Sequence, residues 1–244
     1  MKKILKFIKN IIALLFLIII FSIGYVFIDG YTMYTKAIEK LSIQEAVKNL
    51  ENTPNYVTID NIPKTYLQAV VSIENKRFYE IGAIDLISTT RAIITNFTTK
   101  SLTEGGSTIT QQLAKNLYFT QEKKFTRKVA EHFVAIDLEK HLQSKDKILE
   151  LYVNKIYYGD GYTGIYDASM GYFEKEPKDL TLYEQTLLAG LPNAPSVYAL
   201  SNNSHLSYER QNQVVDAMAK EGQITQTQAE EIYNINKYIF DKKD

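Results

Sequence analysis

Gly105-Gly106-Ser107-Thr108-Ile109-Thr110-Gln111-Gln112-Leu113-Ala114-Lys115-Asn116-Leu117 joins a glycine pair directly to an amphipathic helical pattern. Adjacent glycines permit a tight turn with close backbone approach, and Ser107 is placed to cap the open N–H groups of the helix that follows. A terminus of this kind attracts phosphate. At about 100° per residue, Ile109, Leu113 and Leu117 share one stripe, while Thr108, Gln112, Lys115 and Asn116 share its neighbour. The second stripe holds amides, a hydroxyl and one cation where a solvated face would carry exchangeable Glu and Lys. Such a set suits sugar hydroxyls and phosphate oxygens.

Composition narrows what this helix can serve. The chain has 244 residues, 28 basic against 28 acidic side chains and no cysteine. A balanced charge offers no electrostatic footprint for nucleic acid. Without cysteine there is no disulfide, thiolate zinc site or cysteine nucleophile. Aromatic residues are 18 Tyr and 11 Phe with no Trp, which suits carbohydrate or interfacial surfaces.

From Ile11 to Ile28 the sequence is apolar except for Ser22 and Gly24, and Lys2, Lys3, Lys6 and Lys9 precede it. Extended to Gly30, the run meets the roughly 20 residues needed to cross a hydrocarbon core. The lysines place the N-terminus on the cytoplasmic side and the rest of the chain on the outer face, as a single-pass protein. Ser22-Ile23-Gly24 offers a signal-peptide cleavage pattern, but the apolar run continues past it, which favours an uncleaved anchor. The expected division is a basic N-terminus (1–10), a membrane anchor (11–30), a juxtamembrane connector (31–55), a catalytic domain (56–236) and a tail (237–244).

Beyond the anchor, Ile38, Leu41, Ile43, Ala46 and Leu50 recur at helical spacing before the breaker Asn52-Thr53-Pro54-Asn55. Val57-Thr58-Ile59 alternates as a short strand does, and Pro63 opens a helix that delivers Glu74 near its C-terminus. There a carboxylate meets the negative end of the helix dipole, a placement suited to proton transfer. Arg127 to Glu139 is helical, with Val129, Phe133 and Ile136 on the core stripe and Arg127 one turn from Glu131. A helix from about Ser144 to Tyr157, a Tyr-rich loop at Gly159, Gly161 and Gly164, a helix from Leu182 to Leu191 and two more over 205–221 and 225–234 complete the chain. Gly222 and Thr225 punctuate the last pair.

These residues resemble the peptidoglycan glycosyltransferases of family 51, a domain found alone or in front of penicillin-binding transpeptidase domains. The resemblance covers roughly residues 55–235. It rests on Glu74, Phe78 and Gly82 with Asp85 and Arg91, on the block Gly105 to Leu117, on Arg127-Lys128 with Glu131, and on Lys147 to Asn154. Glu184 to Pro195 and the tail Arg210, Val214, Met218, Gly222-Gln223-Ile224 follow in the family's order. It implies a mostly α, lysozyme-like helical domain behind one transmembrane helix. The implied enzyme is a monofunctional transglycosylase that polymerises lipid-linked disaccharide-pentapeptide, lipid II, into glycan strands with inversion and release of polyprenyl pyrophosphate.

By the same resemblance Glu74 is the general base and Glu131 the second catalytic glutamate. Lys115 and Arg127 face the pyrophosphate, and Ser107, Thr108, Gln112, Asn116 and Phe78 belong to the substrate cleft. Mg²⁺ or Mn²⁺ is the cofactor class that bridges pyrophosphates, although the sequence shows no dedicated carboxylate cage. Lipid II, the growing strand, the membrane, transpeptidases and other cell-wall proteins are the implied partners.

The chain departs from the family at Asn75, usually Asp, and at Ile81, usually His, which removes a charge beside Glu74. The departures keep open a weakly active or inactive lipid II-binding scaffold, and two glutamates on a helical fold would also suit a lysozyme-like glycan hydrolase. Ser144-Lys145-Asp146-Lys147 has the S-x-x-K spacing of acyl-serine enzymes, but no K-T-G follows and Ser144 reads as a helix start. His132 and His141 fall in helices and His205 in a polar connector, with no ligand spacing among them.

Overall fold

The structure is a computed structural model that describes residues 2–99, 105–119, 125–202 and 204–241. It is mostly α, as expected. Helix α1 runs unbroken over Lys2–Lys40, and α2 over Ile43–Glu51. The catalytic region follows as α3 (Lys64–Glu74), α4 (Leu86–Thr99), α5 (Ile109–Tyr118), α6 (Phe125–Leu142) and α7 (Lys145–Lys155). A two-stranded antiparallel ribbon, β1 (Tyr157–Gly159) and β2 (Tyr162–Thr163), precedes α8 (Ile165–Phe173). The remainder is α9 (Leu182–Gly190), α10 (Pro195–Tyr198), α11 (Ser204–Lys220) and α12 (Gln226–Asp241).

The first helix is long and apolar enough to cross a membrane, and its most apolar stretch is wholly exposed. Its second half packs on α6. Gly30 faces Val129 and the carbonyl of Thr126 so closely that an added Cβ would lie 2.5 Å from Val129 Cβ. The rings of Phe27, Tyr31 and Tyr34 surround Phe133, and the Tyr34 hydroxyl donates to Asp137 Oδ2 at 2.5 Å. This corrects the expected core stripe of α6: the buried face is Ala130, Val134, Ala135 and Leu138, while Val129 and Phe133 receive α1. The connector expected over 31–55 is likewise not a separate piece. Ser42 and Glu45 close a reciprocal cap on α2, whose Ile43, Ala46, Val47 and Leu50 are buried against the body. The tail boundary also moves, because α12 continues to Asp241 with Asn236 buried.

Helix α7 lies at the centre, with every residue from Ile148 to Asn154 buried. A helix buried all round must satisfy its polar residues internally. Asn154 does so with the backbone of Val57, accepting its N–H and donating to its carbonyl, both at 2.8 Å. Glu150 accepts the N–H of Ile59 at 2.8 Å, together with Tyr56 and Lys147. The strand expected at Val57-Thr58-Ile59 is therefore absent: its polar backbone is paired with side chains of α7, and Ile59 begins a 3-10 turn. Ser144 caps α7 by accepting the Lys147 N–H, so its S-x-x-K spacing is a helix start. His205 lies in the first turn of α11 and not in a connector.

Burial alone would raise the Glu150 carboxyl, but hydrogen bonds from Lys147, Tyr56 and the Ile59 N–H outweigh it and hold the group below the ordinary carboxylate value. A depressed folded-state value contributes stability above the unfolded-state pKa, and that stability is lost as pH falls through the folded one. Glu150→Gln is expected to cost about 1–3 kcal/mol at neutral pH and to flatten the decline in stability on acidification. Denaturant melts at pH 7 and pH 4 measure both; an equally steep acid decline in the variant would contradict the assignment.

Candidate active site

A cleft of about 590 Å³ opens between the end of α3, the glycine loop, α5, the start of α6 and α11. Its local order begins at the N-terminus of α5. Thr108, one residue later than expected, is the cap: its hydroxyl oxygen accepts the Gln111 N–H at 3.1 Å, and Gln111 Oε1 accepts the Thr108 N–H at 3.3 Å. The Thr108 hydroxyl donates to the Ala83 carbonyl at 2.7 Å, which buries it. The Ile109 N–H is used as well, donating to Asn75 Oδ1 at 3.3 Å. Asn75 thus braces the start of α5 beside Glu74. With these N–H groups engaged, an anion in the cleft depends on side-chain cations more than on the helix terminus.

Relieved of capping, Ser107 accepts from Lys128 Nζ at 2.7 Å. Lys128 also reaches Glu131 at 3.1 Å, while Arg127 Nε lies 2.8 Å from the other Glu131 oxygen. Glu131 is 1% exposed and sits between two cations one turn and three residues behind it. Lys115 lines the same cleft from α5. Burial first, then the charges of Arg127 and Lys128 against the opposing pull of Glu131, lowers its pKa from the ordinary lysine value. Lys115, Arg127 and Lys128 thus bring three positive groups to the neighbourhood of Glu131.

Glu74, the last residue of α3, faces this group. Its Oε2 accepts from Gln112 Nε2 at 2.7 Å; its buried Oε1 makes no hydrogen bond and lies 3.5 Å from Arg210 Nη2. The structure therefore brings Glu74, Glu131, Ser107, Thr108, Gln112, Lys115 and Arg127 to one cleft. Two expected members are not there. Asn116 turns back to donate to the Gln112 carbonyl at 2.8 Å and is not among the residues lining the cleft. Phe78 is 1% exposed and packs in the core, edge to face with Tyr79 and with Lys145 Nζ 4.8 Å from its ring centre.

Sequence reasoning left Lys128 and Arg210 without a role, although both stand in the blocks that carried the family resemblance. Lys128 adjoins Arg127, and that adjacency was the available signal. Arg210 had none, since only the packing of α11 against α3 brings it to Glu74. A resident divalent cation does not fit the donor set. Glu74 is held by Gln112 and Arg210, Glu131 by Arg127 and Lys128, and Asp85 by Arg77 and the Ser88 N–H. Each carboxylate at the cleft already faces a cation, and among the described residues no three Asp, Glu, His or Cys groups converge.

A family profile described as Transglycosylase matches residues 34–219, three quarters of the chain and all of the cleft. A protein of Cupriavidus necator, provisionally named a transglycosylase, is 42% identical over 181 residues that cover 74% of this chain and 78% of its own. The chain belongs to the transglycosylase family. Its members are the peptidoglycan glycosyltransferases, and the match begins inside α1, so the end of that helix is part of the family's fold. Penicillin-binding protein 1F of Bacillus subtilis is 40% identical over 221 residues, and penicillin-binding protein 1A of Neisseria flavescens 43% over 181. This chain spans 31% and 23% of those two proteins' lengths while they match 89% and 74% of its own. The long apolar α1 and these relatives fit a membrane-anchored transglycosylase.

Proposed function

We propose that the enzyme polymerises glycan strands from a disaccharide-pentapeptide carried on a polyprenyl pyrophosphate, lipid II, at the outer face of the cytoplasmic membrane. The observation that carries this reading is the convergence of Lys115, Arg127 and Lys128 on the cleft that also holds Glu74. The Glu74 carboxylate removes the proton from the acceptor sugar's 4-hydroxyl, and that oxygen attacks the donor's anomeric carbon from the face opposite the pyrophosphate. The bond to the pyrophosphate oxygen breaks with its electron pair, and configuration inverts. A pyrophosphate held by three cations needs no proton to depart. Glu131 keeps Arg127 and Lys128 aimed at it.

Hydrolysis of a glycan would give those cations no work, so the cluster favours transfer from a phosphorylated donor over a lysozyme-like cut. A single-pass anchor with its lysines inside keeps the cleft beside lipid-borne donor and acceptor, where tethering raises effective concentration. Transpeptidases that cross-link the product are the natural partner class.

The test is incubation of the detergent-solubilised chain with lipid II and separation of the polymer. Lys115→Ala is expected to abolish polymer at an unchanged circular dichroism spectrum, since Ala is a good helix former. Lys115→Arg is expected to retain binding of a non-reactive lipid pyrophosphate analogue. Because the Lys115 pKa is lowered, wild-type affinity for the analogue should decline on the alkaline side before an ordinary lysine would deprotonate, and the Arg variant should hold it to higher pH. Normal polymer from Lys115→Ala would remove the pyrophosphate role.

A further inference from the structure

Behind the cleft a second polar contact reaches the base. The Tyr152 hydroxyl, on the fully buried ring at the centre of α7, lies 3.1 Å from Gln112 Oε1. Gln112 in turn offers Nε2 to Glu74 Oε2 at 2.7 Å. The direction of this chain follows from valence. A carboxylate oxygen only accepts, so the side of the amide facing Glu74 must be its NH₂. Its carbonyl oxygen is then left facing Tyr152, and two acceptors cannot pair, so the phenol must donate. Burial first, then the nearby charge of Glu74, pushes the Tyr152 pKa well above the ordinary value, so the phenol keeps its proton. A flipped amide would set Oε1 against the carboxylate and leave a buried hydroxyl badly paired.

We infer that Tyr152 is a positioning residue for glycosyl transfer: it locks the Gln112 amide so that its NH₂ holds Glu74 Oε2 and fixes the carboxylate that takes the acceptor's proton. The inference rests on the polymerase reading above. Oε1 is the buried acceptor without a hydrogen bond, and Arg210 stands 3.5 Å from it. Gln112 on one oxygen and Arg210 beside the other thus fix the carboxylate from two sides. As the acceptor's O–H bond breaks, its proton bonds to the Glu74 carboxylate, its oxygen bonds to the anomeric carbon, and the pyrophosphate leaves with the electron pair.

Tyr152→Phe keeps the buried ring and deletes only the hydroxyl. One lost orienting hydrogen bond corresponds to a fall in kcat of about tenfold. KM and affinity for the lipid pyrophosphate analogue should stay at wild-type values, a split that general loosening of the fold would not produce. Gln112→Met, on the partly exposed face of α5, supplies the second arm. It should lower kcat at least as far, and adding Tyr152→Phe to it should change nothing more, because the hydroxyl acts through the amide. Equal losses from Tyr152→Phe in both backgrounds, or undiminished kcat in the single variant while the wild type polymerises, would overturn the relay and leave the polymerase reading intact. A wild type that makes no polymer would overturn that reading, and the relay with it.

Discussion

Glu74→Gln is expected to reduce glycan polymerisation to near background while leaving the protein folded and able to bind donor. The substitution keeps the size of the side chain and one oxygen able to accept from Gln112, but it removes the carboxylate proposed as the general base, a role typically contributing about 10²–10⁴-fold. Donor binding persists because Lys115, Arg127 and Lys128 lie on α5 and α6 and do not depend on Glu74 for their placement. Arg210 loses its carboxylate partner at 3.5 Å yet keeps its hydrogen bond to Gln213 at 2.8 Å, so the melting temperature should shift little. The measurement pairs polymer yield with analogue binding. Appreciable polymer from the variant would reassign the base.

Glu131→Gln should behave differently, because Glu131 contacts two of the proposed pyrophosphate cations. The amide removes the charge that holds Arg127 at 2.8 Å and Lys128 at 3.1 Å. Two effects then compete. The cleft becomes more positive, which attracts an anionic donor, but two flexible cations lose the anchor that preorganises them. Hydrogen bonds to charged groups contribute about 1.5–3 kcal/mol, so loss of orientation should dominate and weaken analogue binding by about 10- to 100-fold. Turnover should fall as well. The melting temperature should also drop, since two like charges are left together without the buried carboxylate between them. Tighter analogue binding by Glu131→Gln would show that net charge outweighs orientation in this cleft.

Much of the site was legible because its signals are local. The glycine pair, the cap, the α5 stripe with Gln112 and Lys115, and the one-turn spacing of Arg127 and Glu131 all lie within a few residues of one another. The resemblance tied those blocks to Glu74. Errors arose where two residues of similar chemistry compete. Ser107 and Thr108 are equally able to cap, and the choice falls to Thr108 because the Ala83 carbonyl is there to receive its hydroxyl. Asn75 looked like a lost catalytic neighbour, whereas it accepts the Ile109 N–H and secures the start of α5. The sequence reading does not find helices α4 and α8 or the β1–β2 ribbon: their Thr-rich and Tyr-rich segments carry weak periodicity, and the two strands are only three and two residues long.

By itself the sequence determined the membrane-length apolar helix, the helical class, the family and most of the residues that gather at the cleft, because apolar periodicity, capping residues and motif spacing are written in neighbouring positions. Only the tertiary structure decided which groups meet across distance. The packing of α11 against α3 puts Arg210 beside Glu74, the burial of α7 aims Tyr152 at Gln112, and α1 covers Val129 and Phe133. Tertiary packing likewise took Phe78 into the core and turned Asn116 back onto its own helix. The physical reason is that a side chain's type sets what it can bind, whereas its partner is set by which backbone atoms and charges the folded chain carries to within hydrogen-bonding distance.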